Sequence, residues 1–453
     1  MKITKRDIIW SYLSIGLVHS VNLLLLPIIL IYLNKSELGL WYTFSSIYSL
    51  AVILDFGLQA TISRNINYIW AGNNEVQKDG ISRNSSTEVN IQYFIKFLST
   101  VKAMYFIIGV IAFIMFSTFG TMYIYSIIND KISLHSALIS WALYLTAIIF
   151  NITFSYWNCL LRGIGEVKKY NQVLILMKIT QLILSSIFLW FGLGIIGVSL
   201  AYLISVLINR LFQSLSFYNA NELTGQLKNK IKFNMTKEIV INLIPNTIKT
   251  GITSVANFLA INSPILLCSY FLSLEMAGEF GLTNQIITLI LTISNTYFNT
   301  YLPKFNYLRS KGDNYLFTEI VKKAIKYNYI IIIVGFLFLI LAGNYSLGLL
   351  PGNHSIIPIK LLIFLLIFRF LYNNQTLLTS IINTSNNIPQ FKSFFITSFI
   401  TIIIQLILLI FVNQNLYMII IPSLICQALF NNWYWILNYK KEMGNILNGI
   451  SNE

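Results

Sequence analysis

The sequence has 453 residues, of which 56% are hydrophobic and only 10% charged, with a mean hydropathy of +0.69. Soluble domains carry roughly 25% charged residues, so a soluble enzyme or regulator is excluded and length sets no count of soluble domains. The net charge of +15 does not mark a nucleic-acid binder, because the basic residues form no single face and lie between apolar runs.

In chain order, the basic start of Lys2, Lys5 and Arg6 leads into a long apolar run with no small-residue cleavage pattern. A membrane-crossing helix needs about 20 mostly apolar residues. Runs that meet this lie near 8–32, 39–62, 102–125, 136–158, 171–191 and 195–216, and then near 241–271, 277–302, 328–350, 357–382, 393–412 and 416–438. Lys and Arg concentrate in the N-terminal tail, the even-to-odd loops and the C-terminal tail, whereas only Lys35, Lys131 and Lys360 fall opposite. Both termini are therefore expected in the cytoplasm. Connections on the outer side are short, such as Asn34 to Leu38. The inner ones are longer: Ser85 and Glu88 have capping-box spacing, and Lys228, Lys230, Lys232 and Lys237 crowd the central loop. Those lysines read as retention signals, or as contacts to anionic membrane lipids.

The two halves echo each other. Pro27-Ile28-Ile29-Leu30, Gly39 and Asn67-Tyr68 are matched by Pro264-Ile265-Leu266-Leu267, Gly278 and Asn306-Tyr307, with the same spacing from glycine to asparagine. Six spans per half means that both halves enter the membrane in the same direction. The expected fold is an all-α polytopic membrane protein of about twelve transmembrane helices in two six-helix bundles, related by a pseudo-twofold axis along the membrane normal. The bundles are 1–219 and 241–453, joined by a basic cytoplasmic linker at 220–240.

Ionisable residues within spans are costly and usually face a cavity or a partner. Asp55 is the one acid well inside a span, against the cations Lys178, Lys249 and Arg369. Such an excess predicts a cationic cavity; the plain alternative pairs Asp55 with one cation and lets the others snorkel. Arg64 and Arg210 lie at cytoplasmic helix ends, where snorkelling is expected. His19 in the first span reads as a packing residue or a coupling group. Pro27 and Pro264, at matching points, are candidate hinges. The three cysteines are far apart and suit neither a disulfide framework nor zinc. No Walker A sequence, HExxH, GxSxG or metal-spaced histidine cluster is present, so no cofactor, no metal and no enzyme activity are expected.

Leu38-Gly39-Leu40-Trp41-Tyr42, then Leu54-Asp55-Phe56-Gly57-Leu58, Arg64 and Ala71-Gly72, resembles the second-span signature of Wzx-type O-antigen and polysaccharide lipid flippases. The stretch from Arg162 to Asn171, RGIGEVKKYN, is similar to their loop after the fourth span. The resemblance implies the multidrug, oligosaccharidyl-lipid and polysaccharide exporter superfamily, with two six-helix bundles around a V-shaped cavity. It further implies an undecaprenyl-pyrophosphate-linked glycan as substrate, flipped outward across the bacterial inner membrane, with contacts to a polysaccharide polymerase and other assembly proteins. Cavity cations attracting the pyrophosphate would then be Lys178, Lys249 and Arg369, with Asp55 and Arg64 in the motif and a coupling role open to Asp55. The rival readings are a multidrug exporter of the same superfamily and an integral-membrane glycosyltransferase or polymerase. The first would bind organic cations, and the second needs acids on a sizeable outer loop.

Overall fold

The computed structural model describes residues 24–70, 89–128, 132–228, 230–311, 313–349, 354–385 and 389–447. Every regular element among them is helical. Among the described residues, eight helices are long and apolar enough to cross a bilayer: Ile91–Ile127, Leu134–Gly163, Val167–Trp190, Gly194–Tyr218, Leu274–Leu302, Asn314–Gly348, Ile359–Ile382 and Phe391–Phe411. These are spans three to six and eight to eleven of the expected order. The seventh is a pair, Gly251–Ile261 and Ser263–Leu272, bent by 44°. The first is described over 24–32, and the second is interrupted between Lys35–Ile53 and Leu58–Trp70. The twelfth runs through Tyr417–Cys426, a π-helical segment Gln427–Asn432, and Trp433–Leu447. The chain is thus an all-α, multi-pass membrane protein.

Local chemistry sets the ends of the spans. Asn34 and Glu37 form a reciprocal capping box at the start of the second span, with Asn34 Oδ1 accepting from the Glu37 amide at 2.9 Å. Asn90 caps the third span through the Tyr93 amide at 3.0 Å; the capping pair expected at Ser85 and Glu88 lies outside the described residues. Several helices extend past their apolar runs. The third begins at Ile91 and the ninth at Asn314, because their first turns are amphipathic rather than apolar.

By its internal contacts the chain divides into two compact units, Met1–Ser254 and Val255–Glu453. The division falls within the helix Lys237–Ile261, downstream of the stretch 220–240 expected as a linker. Leu227, Ile239 and Leu243 explain this, since all three are buried in the first unit against Phe94, Phe97, Trp157 and Phe217. The second and fourth spans approach closely at Gly163, where a Cβ would lie 2.5 Å from Ile66. In the second unit the core gathers Phe298, Phe305, Phe317, Val321, Ile381 and Met443.

Candidate functional site

Arg369 lies in the tenth span and is 5% exposed. Its Nη2 donates to the Thr288 hydroxyl at 2.8 Å, while its Nε is buried without a hydrogen bond. Among the described residues no carboxylate pairs with it. Beside it is a cavity of about 10 Å³, room for roughly one water, whose lining includes Pro264, Phe280, Asn284 and Ser423. Two residues singled out separately from the sequence, Arg369 and Pro264, therefore meet at one place.

Pro264 does not sit in the middle of an unbroken helix. It occupies the first turn of Ser263–Leu267, where its missing N–H costs nothing. The break lies just before it: the Ile265 amide turns to the Asn262 carbonyl at 3.1 Å, and Asn284 Nδ2 reaches the released Ile261 carbonyl at 3.4 Å. Pro27, its counterpart in the first span, is half-buried within the helix 24–32.

Lys178 is half-buried in the fifth span and donates to Gln181 Oε1, one turn on, at 3.3 Å. Lys249 lies on Lys237–Ile261, with its side chain outside the described atoms. His19 also lies outside the described residues. Arg64 is exposed on Leu58–Trp70 and joins none of these groups.

Asp55 occupies the break of the second span rather than its helical interior. The chain turns there through Phe56 (φ 47°) and Gly57 (φ 75°). Asp55 is 8% exposed, accepts from the Gln59 amide at 3.3 Å and faces the hydroxyl of Tyr105, so among the described residues its partners are helix-capping and phenolic groups and not a lysine or arginine. The other motif, Arg162 to Asn171, forms the turn into the fifth span. Gly165 takes φ 88°, the Arg162 guanidinium lies 5.4 Å from the Tyr170 ring, and Lys169 pairs with Glu166 at 3.4 Å.

Arg210 overturns the snorkelling expectation. It is 6% exposed and lies in a nest of amides. Nη1 donates to Asn158 Oδ1 at 3.1 Å and Gln213 Oε1 at 2.6 Å, while Nη2 donates to the Asn151 carbonyl at 2.8 Å and to its side-chain oxygen. Asn151 continues the network to the Tyr48 hydroxyl at 3.2 Å, and Tyr202 stacks on Tyr144 at 4.8 Å. The signal was present in the sequence as spacing: Asn151 and Asn158 share a face of the fourth span, as do Arg210 and Gln213 of the sixth. The second unit joins its own fourth and sixth spans in the same manner, through Asn374 to Asn432 at 2.8 Å and Gln427 to Gln375. It adds a closed ring in which Asn328 donates to Asn295, Asn295 to Asn373 and Asn373 to Asn328, at 2.8, 2.9 and 3.1 Å.

Each unit thus buries a guanidinium among neutral partners, Arg210 among amides in the first and Arg369 beside Thr288 in the second, and among the described residues no carboxylate pairs with either. No protein-family model matches the sequence, and no curated protein matches it. Solved structures do. A multidrug resistance MATE family transporter of the MOP superfamily, in its inward-facing conformation, matches with a TM-score of 0.74 at 14% identity over 96% of both chains. An outward-facing MATE family transporter matches with 0.62 at 15% identity, over 99% of this chain and 100% of that one. A MOP superfamily transporter from Pyrococcus furiosus Vc1, described as having a binding pocket of reverse polarity that suggests a different function, matches with 0.56 at 13% identity, over 99% and 100%. The chain has the fold of the MOP superfamily transporters.

Proposed function

We propose that this protein is a flippase for an undecaprenyl-pyrophosphate-linked oligosaccharide, an O-antigen or capsule repeat unit. It moves the lipid from the cytoplasmic to the outer leaflet of the bacterial inner membrane by alternating access, with both termini cytoplasmic. The observation that carries the reading is the buried charge: Arg369 and Arg210 are each hydrogen-bonded to neutral groups, and no carboxylate neutralises either among the described residues. Membrane-embedded cations of this kind usually line a pathway, and a pyrophosphate is the substrate group that would offset them. Pro27 and Pro264 are the hinges in this reading, Lys178 and Lys249 add positive charge, and Asp55 is the candidate coupling group. No chemistry on the substrate is required of any residue.

A second reading, multidrug export, rests on the fold shared with multidrug resistance transporters. The cations speak against it, since an interior of net positive charge repels organic cations. The deciding experiment is complementation. Expression in a strain lacking its polysaccharide flippase restores surface glycan, whereas expression in a pump-deficient strain leaves drug resistance unchanged. Arg369→Ala inserts normally, as judged by its amount in the membrane fraction, and fails to restore glycan. Full restoration by Arg369→Ala removes the cation from the mechanism, and drug resistance without glycan selects the second reading.

A further inference from the structure

The third and fourth spans enclose a groove of about 360 Å³ in the first unit, within the roughly 300–1,000 Å³ typical of small-molecule sites. Gly109 and Thr153 both line it, and a Cβ at Gly109 would meet the Thr153 hydroxyl at 2.0 Å, so the two helices touch there. The walls are apolar, with Phe106, Phe113 and Phe150 all substantially exposed. One end differs. Lys102 lines it, and the segment 231–233 closes it, with Phe233 edge-on to Phe106 at 5.3 Å. Lys102 makes a long hydrogen bond, 3.5 Å, to the Ile231 carbonyl. Exposed Lys230 and Lys232 flank Ile231 in the chain, and no acid is among the described residues that line the groove.

We infer that this groove is a binding site for an anionic phospholipid, with an acyl chain between the third and fourth spans and the phosphate at Lys102 and the neighbouring lysines. Charge and polarity fix the occupant: an apolar trough ending at a half-buried ammonium matches a lipid whose head is negative. The second unit supplies a contrast. Its third and fourth spans, the ninth and tenth of the chain, form a groove of about 310 Å³ lined by Ile332, Ile333, Phe336, Leu337, Phe370 and like residues, with no cation. That groove accepts a chain without selecting a head group. The inference is independent of the transported substrate.

The test uses the full chain in vesicles containing a photoactivatable phosphatidylglycerol or phosphatidylcholine at equal fraction, with labelled peptides identified by mass spectrometry. Labelling at Phe106, Phe113 and Phe150 is expected to favour phosphatidylglycerol by about fivefold, the equivalent of about 1 kcal/mol, which is the contribution of one basic residue, Lys102, at a membrane surface. Lys102→Glu abolishes the preference while leaving labelling around Phe336 and Phe370 unchanged, and Val110→Trp, which fills the groove, lowers labelling by both lipids. Equal labelling by the two lipids in the unaltered protein, or a preference that survives Lys102→Glu, overturns the site and leaves ordinary boundary lipid.

Discussion

Arg210 shows how a charge is kept at membrane depth without a counter-charge. Four oxygens from Asn151, Asn158 and Gln213 take the place that a carboxylate would otherwise fill. Such bonds to a charged donor are stronger than neutral ones, and the acceptors depend on the donor in turn. Arg210→Met strips the donor from the buried Asn151 and Gln213 oxygens, at about 1–3 kcal/mol for each orphaned group, while Asn158 Oδ1 keeps its bond from Gln213 Nε2 at 2.6 Å. A marked drop in thermal unfolding temperature is expected in detergent, with partial recovery in Arg210→Lys because an ammonium lacks the planar fork. Arg64→Met, on an exposed position of the same unit, shifts stability by no more than about 0.5 kcal/mol. An equal loss in both variants would mean that the amide nest does not hold the arginine. The sequence alone separates these two residues poorly. Both sit near predicted cytoplasmic ends, and the difference lies in the amides of a helix some fifty positions away. Arg369 was legible because it falls near the middle of an apolar run, where any charge stands out.

At the scale of elements, the spans that break are the ones that carry the motifs. The second span turns at Asp55 because Phe56 and Gly57 both adopt positive φ, and only the glycine does so without cost. Hydropathy passes over that turn, since Leu54, Phe56 and Leu58 are apolar whether the backbone is helical or not. Gly57→Ala is expected to destabilise by about 1–2 kcal/mol through left-handed strain, read as a lower midpoint in thermal unfolding; an unchanged midpoint would show that the turn can relax. The Phe56 ring adds a constraint, for it lies so close to Gly251 that a Cβ there would be 2.0 Å from the ring edge. The turn of the second span is thereby held against the helix Lys237–Ile261. The tenth span shows the opposite strategy. It stays unbroken and puts Asn373, Asn374 and Gln375 in succession: Asn373 bonds to Asn295 and Asn328 of the eighth and ninth spans, and Asn374 and Gln375 to Asn432 and Gln427 of the twelfth. A sequence reading sees three adjacent amides in an apolar helix, but their partners lie on helices that only the fold assembles.

For the whole molecule, helix number, order and approximate limits were legible because the bilayer imposes one length and one polarity on every span. The extensions at Ile91 and Asn314 were not, since a helix continues past its apolar run without any apolar signal. The transport reading also has a consequence at this scale. Two phosphate charges leaving an inside-negative compartment gain about 4.6 kcal/mol per 100 mV, at about 2.3 for each charge. In vesicles oriented like the cell, an inside-negative diffusion potential is expected to accelerate outward movement of the pyrophosphate lipid, and collapsing the potential to slow it. Rates indifferent to the potential would mean that the head group crosses with its charge compensated by co-moving cations.

The π-helical segment Gln427–Asn432 accommodates one residue more than an α-helix would over the same rise. Everything after it is rotated by that surplus, including Trp435, which packs edge-on to Phe394 at 6.5 Å, and Glu442, the ion-pair partner of Arg309. Removing a single residue from the segment would let the helix rewind and swing its C-terminal end by about 100°. Trp435 would turn off Phe394, and Glu442 would leave Arg309. That stretch therefore acts as the clocking pin of the last helix, through the number of its residues as well as through the bonds of Gln427 and Asn432 to the tenth span.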